Sequence, residues 1–171
     1  MMSLRSVTGR ELEWVKPRLF KRIYELRSGD NLLGEITFER PRGWTASART
    51  GEGAWTLERT GFATSRVSVR STGASNEVGS IQERRGRRTQ QIALPDGSSF
   101  TLRSDFLKTR FILETNPDEP LVILRRRGIF RATWEAEIRY RARSIPQLPW
   151  LVMLMWFYVL MVRHRAHARG A

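Results

Sequence analysis

From residue 19 to residue 143, hydrophobic and polar positions alternate with a period of two in short runs separated by turn residues. That pattern predicts antiparallel strands with one face buried. The runs are LFKRIYEL, LLGEITFE, WTASAR, AWTLERT, SRVSVRS, EVGSIQE, TQQIALP, SSFTLRS, TRFILET, LVILRRR and RATWEAEIRYRAR. Eleven strands are thus predicted, with room for a twelfth near Trp14. In RVSVR, Val67 and Val69 share one face while Arg66, Ser68 and Arg70 share the other, as the pleat requires. SGDN, TGEG, STGASN, PDG and NPDEP separate the runs with the residues that hairpin turns demand. Gly34 and Ile36 match Gly79 and Ile81 at an offset of 45 residues, and WTL at 55–57 matches FTL at 100–102 at the same offset. A four-strand unit used twice accounts for both matches.

The period of two stops at LPWLVMLMWFYVLMVRHR, residues 148–165. A helix that is apolar on every face must be surrounded by protein or by lipid. A membrane span needs roughly 20 apolar residues, and runs of about 10 to 14 are more often buried core helices. The continuous apolar part, Trp150 to Val162, is thirteen residues. At 1.5 Å per residue, residues 148–162 would extend about 22 Å, within the roughly 20 to 26 Å spanned by strands of six to eight residues. A barrel of about eleven strands has room for one helix on its axis. Pro146 and Pro149 suit the first turn of such a helix, where a missing donor costs nothing. Arginines on both flanks, Arg139, Arg141 and Arg143 before and Arg163, Arg165 and Arg169 after, give no orientation by the positive-inside rule.

The predicted fold is therefore mainly β: a closed antiparallel barrel of about twelve strands around a buried hydrophobic C-terminal helix. Residues 1–18 form an N-terminal lead-in, 19–165 a single barrel domain with the central helix at about 146–164, and 166–171 a basic tail. Trp150, Leu154, Trp156, Phe157 and Leu160 are its predicted structural residues. At 171 residues the chain is long enough for one domain with a core.

Charge adds a direction. Thirty basic residues oppose seventeen acidic ones, a formal charge of +13, which attracts phosphates, nucleic acid or anionic head groups. All but Lys16, Lys21 and Lys108 of the basic residues are arginines. Two clusters in predicted hairpins are candidate anion sites: Arg84, Arg85, Arg87 and Arg88 in ERRGRR, and Arg125, Arg126 and Arg127 in LRRRG. Guanidinium forks suit phosphate oxygens; the same charges also protect strand edges. Nucleic acid would use the same arginines but normally adds exposed aromatics for stacking. Trp44, Trp55, Phe100 and Phe111 fall mostly on the apolar phase, which favours lipid.

Materials for catalysis are scarce, and no enzymatic activity, cofactor or metal is expected. There is no cysteine, which removes thiolate chemistry and disulfides. The only histidines are His164 and His167, with no carboxylate after them. Glu135 and Glu137 share a strand face as its wet side, NPDEP reads as a turn rather than a calcium loop, and no phosphate-cradling glycine loop precedes a helix. The N-terminus lacks the apolar stretch of a secretory signal, so a cytoplasmic location is expected.

GEITFE, GAWTLER, LPDGSSFTL and LPWLVMLMWFY, set in a run of eleven or twelve strands before one very hydrophobic helix, resemble the tubby C-terminal-like superfamily. Tubby domains, phospholipid scramblases and LURP-one-related proteins belong to it. The resemblance covers residues 19–165 in layout and implies a twelve-stranded barrel closed around its last helix. It implies phosphoinositide binding or a role in lipid movement for some members, but no binding residue of theirs maps onto this chain. The expected function is a non-enzymatic module for anionic phospholipid head groups at a cytosolic membrane face. Two alternatives stay open: a tail-anchored protein with residues 145–162 in the bilayer and a scramblase-like lipid role, or a structural or protein-binding barrel.

Overall fold

A computed structural model describes residues 1–61, 64–129 and 132–170. The strands are β1 (Glu11–Val15), β2 (Ile23–Ser28), β3 (Asn31–Phe38), β4 (Thr45–Thr50), β5 (Gly53–Thr60) and β6 (Arg66–Ser71). They continue as β7 (Glu77–Gln82), β8 (Thr89–Ala93), β9 (Ser99–Ser104), β10 (Arg110–Glu114), β11 (Pro120–Arg127) and β12 (Thr133–Ile138). Each strand pairs with its chain neighbours, and β1 pairs with β12 to close the barrel. All pairs are antiparallel.

The helix α1 (Leu148–Arg169) runs through the lumen, and every residue from Leu148 to Val159 is buried. Its side chains meet strands from around the wall. Trp156 stacks on Trp14 of β1 at 4.9 Å, Phe157 on Phe38 of β3 at 5.6 Å, and Tyr158 meets Phe111 of β10 edge-on at 6.4 Å. Gly34 on β3 and Gly79 on β7, matched in the sequence at 45 residues, both face the helix. A Cβ on Gly34 would lie 2.7 Å from Met153 Cε, and one on Gly79 would lie 2.5 Å from Trp150 Cη2. The repeat is a four-strand unit whose glycine lets the helix approach the wall. Of the predicted helix residues, Trp150, Leu154, Trp156 and Phe157 are buried, and Leu160 is half-buried as the helix nears its exit.

The segment offered as a bilayer anchor thus spends its apolar surface on the barrel. No helix among the described residues is long and apolar enough to cross a membrane.

Three boundaries differ from expectation. First, residues 1–18 are not a lead-in. A 3₁₀ turn at Leu4–Val7 buries Leu4 and Val7, Leu4 N and Ser3 Oγ donate to Glu52 at 2.8 and 2.5 Å, and Gly9 N donates to the Ile138 carbonyl at 2.9 Å. That segment caps the mouth where α1 enters, and β1 completes the wall. Second, the RATWEAEIRYRAR run, whose Arg131 lies outside the described residues, stops as a strand at Ile138 and turns through a 3₁₀ segment at Tyr140–Ser144. The chain must double back there to feed the helix into the lumen. Third, α1 continues to Arg169, through most of the segment read as a tail, with Arg165 held by Glu83 in the link between β7 and β8.

Candidate functional site

In a closed meander, alternate hairpins lie at the same end. The mouth where α1 exits collects the links β1–β2, β3–β4, β5–β6, β7–β8, β9–β10 and β11–β12. Charge is sorted accordingly. Fourteen described basic residues lie in these links or on α1 after Val162, against three acids, Glu39, Glu83 and Asp105. The strands and the capped mouth hold fifteen described arginines against fourteen acids. Almost all of the formal charge of +13 therefore sits at one end.

The wall is balanced by ion pairs. At the closing seam Glu11 stands opposite Glu137 and Glu13 opposite Glu135, a register that is repulsive on its own. Arg125 pairs with Glu137 at 3.6 Å, Arg139 with Glu137 at 2.8 Å, and Arg127 with Glu135 at 2.7 Å. The predicted cluster 125–127 is thereby divided by the pleat: Arg125 and Arg127 neutralise the acidic seam on the outer face, and Arg126 alone is turned towards the exit mouth, near Arg163.

At the mouth the cations are less well served. Arg22 donates to the carbonyls of Arg40, Pro41 and Gly43 at 3.2, 3.2 and 2.7 Å and stacks over Phe38 and Trp44 at 3.9 and 4.8 Å. Arg163 lies over the Trp134 ring at 5.5 Å, and Lys108 donates to Ser104 Oγ at 2.6 Å. None of the three forms an ion pair within 4 Å among the described residues. Burial lowers the pKa of each, Arg126 adds to the effect at Arg163, and at Lys108 Asp105 opposes it while Arg88 adds to it. Partly desolvated cations without a paired carboxylate favour an incoming anion.

One buried acid organises this end. Arg165 of α1 grips Glu83 with two bonds of 2.6 and 3.0 Å, and Ser65 donates to the same carboxylate. Burial alone would raise the Glu83 pKa, but the hydrogen bonds from Arg165 and Ser65 and the charges of Arg165 and Arg59 bring it below the usual carboxylate value. Gln90 closes the β7–β8 link, accepting from Arg84 N at 2.9 Å and donating to the carbonyls of Arg84 and Arg87 at 3.0 and 3.2 Å. Between this link and the helix end lies a cleft of about 210 Å³, lined among others by Arg84, Arg85, Arg87, Lys108, Arg165 and Arg169. Arg84, Arg85 and Arg87 line this cleft together. Arg88 faces the adjoining hollow with Thr89, Arg103 and Arg110.

Sequence reasoning missed Arg22, Lys108, Arg163 and Arg165, which reach the mouth from separate parts of the chain. The histidines are engaged separately: His164 meets Trp44 edge-on at 5.5 Å, and His167 Nδ1 lies 2.8 Å from the Arg163 carbonyl. NPDEP is a turn between β10 and β11, with Glu119 N donating to the Asn116 carbonyl at 3.1 Å.

No family model matches the chain, and no curated protein is similar to it. Among solved structures, the X-ray structure of a protein from Arabidopsis thaliana is similar over 88% of this chain and 93% of its own, with a TM-score of 0.56 and 12% sequence identity. At that identity the likeness establishes the fold alone: a mainly-β closed barrel of twelve antiparallel strands with a C-terminal helix.

Proposed function

We propose that the chain is a non-enzymatic binding module of the tubby C-terminal-like superfamily that docks its helix-exit mouth on anionic phospholipid head groups at a cytosolic membrane face. The charge sorting carries this reading: fourteen described cations against three acids at one end, on a barrel balanced elsewhere. Near an anionic bilayer each basic residue contributes about 1 kcal/mol, and clustering at one end lets many act together. The superfamily assignment is supported by the layout of the barrel and its lumenal helix.

Co-sedimentation with phosphatidylserine-containing vesicles tests the reading. Replacing Arg84, Arg85, Arg87 and Arg88 together by Ser should weaken binding about a thousandfold, from about 4 kcal/mol in all. Replacing Arg125 and Arg127 by Ser should leave it nearly unchanged, since Glu137 and Glu135 already neutralise them. Unchanged binding by the fourfold variant would rule out the cleft.

A further inference from the structure

Eight large apolar side chains stand exposed among the described residues, and five of them share the basic mouth. Leu19 and Phe20 tip the β1–β2 link at 80% and 101% exposure, Phe106 and Leu107 tip β9–β10 at 82% and 75%, and Ile129 stands in β11–β12 at 88%. These three hairpins follow one another around the rim, across six adjacent strands. The arginine-bearing β3–β4 and β7–β8 links occupy the other side. The exposed apolar side chains therefore gather on one half of the rim, its apolar half, together with Lys16, Arg18, Lys21, Arg22 and Lys108, while the arginines of the other half have no such neighbours among the described residues.

Two of these links are braced at their base. Beneath Phe106 and Leu107, the Asp105 carboxylate accepts from Thr109 N at 2.7 Å, Arg110 N at 2.9 Å and Thr109 Oγ1 at 2.6 Å, closing the loop at its base. Arg22 pins the base of the β1–β2 link to the β3–β4 link through its three carbonyl contacts. Hairpins at the capped mouth turn through Gly29–Asp30, Gly51–Glu52 and Asp96–Gly97, so closing a turn does not itself require large apolar residues. Large apolar side chains exposed together at one end of a barrel mark an interaction surface.

We infer that the tips of the β1–β2 and β9–β10 links and the neighbouring Ile129 insert into an anionic bilayer, with Leu19, Phe20, Phe106, Leu107 and Ile129 below the head groups. Lys16, Arg18, Lys21 and Lys108, interleaved with the tips in sequence, meet the phosphates. The inference rests on the lipid reading above and adds the mode: penetration, with the barrel tilted towards its apolar half. Charge complementarity selects an anionic partner, and apolar tips between lysines select a lipid interface over a soluble polyanion, which has no hydrocarbon to receive them.

The absence of cysteine allows a clean test. Phe20→Cys, Phe106→Cys, Ile129→Cys and, in the opposite β6–β7 link, Ala74→Cys would each carry one polarity-sensitive fluorophore. Phosphatidylserine–phosphatidylcholine vesicles with quenchers on their acyl chains should quench the three rim labels and spare the label at 74. Phe20→Ser with Phe106→Ser should weaken binding about a hundredfold, at about tenfold or more per side chain, and leave thermal stability unchanged because both are exposed. Failure of the parent protein to bind these vesicles overturns the lipid reading and the insertion together. Binding with unquenched rim labels and an unweakened double variant overturns insertion alone.

Discussion

Glu83 and Arg165, 82 positions apart, form a two-bond ion pair that fastens the end of the lumenal helix to the β7–β8 link. The Glu83 side chain is only 3% exposed and that of Arg165 25%, so removing one partner leaves a largely desolvated charge. Arg165→Ala should cost about 3 kcal/mol, as for other buried pairs broken on one side. Arg127→Ala, which opens the exposed pair with Glu135, should cost less than about 1 kcal/mol. Urea denaturation of the two variants checks the contrast.

The same pair sets an acid limit on stability. The Glu83 pKa is depressed in the folded protein from its ordinary value of 4.5, so its contribution is fully present above about pH 4.5 and is lost as pH falls through the folded value. Glu83→Gln lacks that contribution at every pH. The stability gap between parent and variant should therefore be constant near neutrality and narrow below about pH 4.5. Glu77, held low chiefly by its hydrogen bond from Arg66, remains in both proteins and does not confound the difference.

At the two glycines that face the helix, the neighbour decides the cost of a methyl group. On Gly79 it would meet the rigid indole of Trp150, and on Gly34 the flexible end of Met153. Gly79→Ala should cost about 1–3 kcal/mol by overpacking. Gly34→Ala should cost less, because Met153 can bend away. Thermal denaturation in the reverse order would contradict the close approach at Trp150.

Trp156 tests the lumenal helix as a whole. It stacks on Trp14 and meets Tyr24 and Trp134 edge-on at 5.9 and 5.7 Å. Trp156→Asp puts an unpaired charge among them, costing several kcal/mol, and should abolish cooperative unfolding measured by circular dichroism. A cooperatively folded variant would contradict the lumenal placement.

Most of the architecture was legible because it follows from local pattern. Period-two runs marked the strands, the 45-residue match marked the four-strand unit, and the all-round apolarity of residues 150–162 demanded enclosure. What the sequence hid is non-local. ELEWV was visible only as room for a twelfth strand near Trp14, too short to be separated from the lead-in of residues 1–18, and its role depends on pairing with β12. Arg125, Arg126 and Arg127 looked like one cluster until the pleat and the acids of β12 separated them. The exit mouth becomes visible only when strand number and closure bring six links together, so Leu19, Phe106 and Ile129 read as unrelated turn residues until then.

The position of the lumenal helix bears on biosynthesis. Every strand emerges from the ribosome before the helix that fills the space between them. Consecutive hairpins can pair as they appear, but inward residues such as Leu57, Val67 and Ile81 remain without their apolar neighbours until residues 148–162 follow. A nascent chain carrying all twelve strands is therefore at its most adhesive shortly before it becomes foldable, and that interval is when it most needs a chaperone.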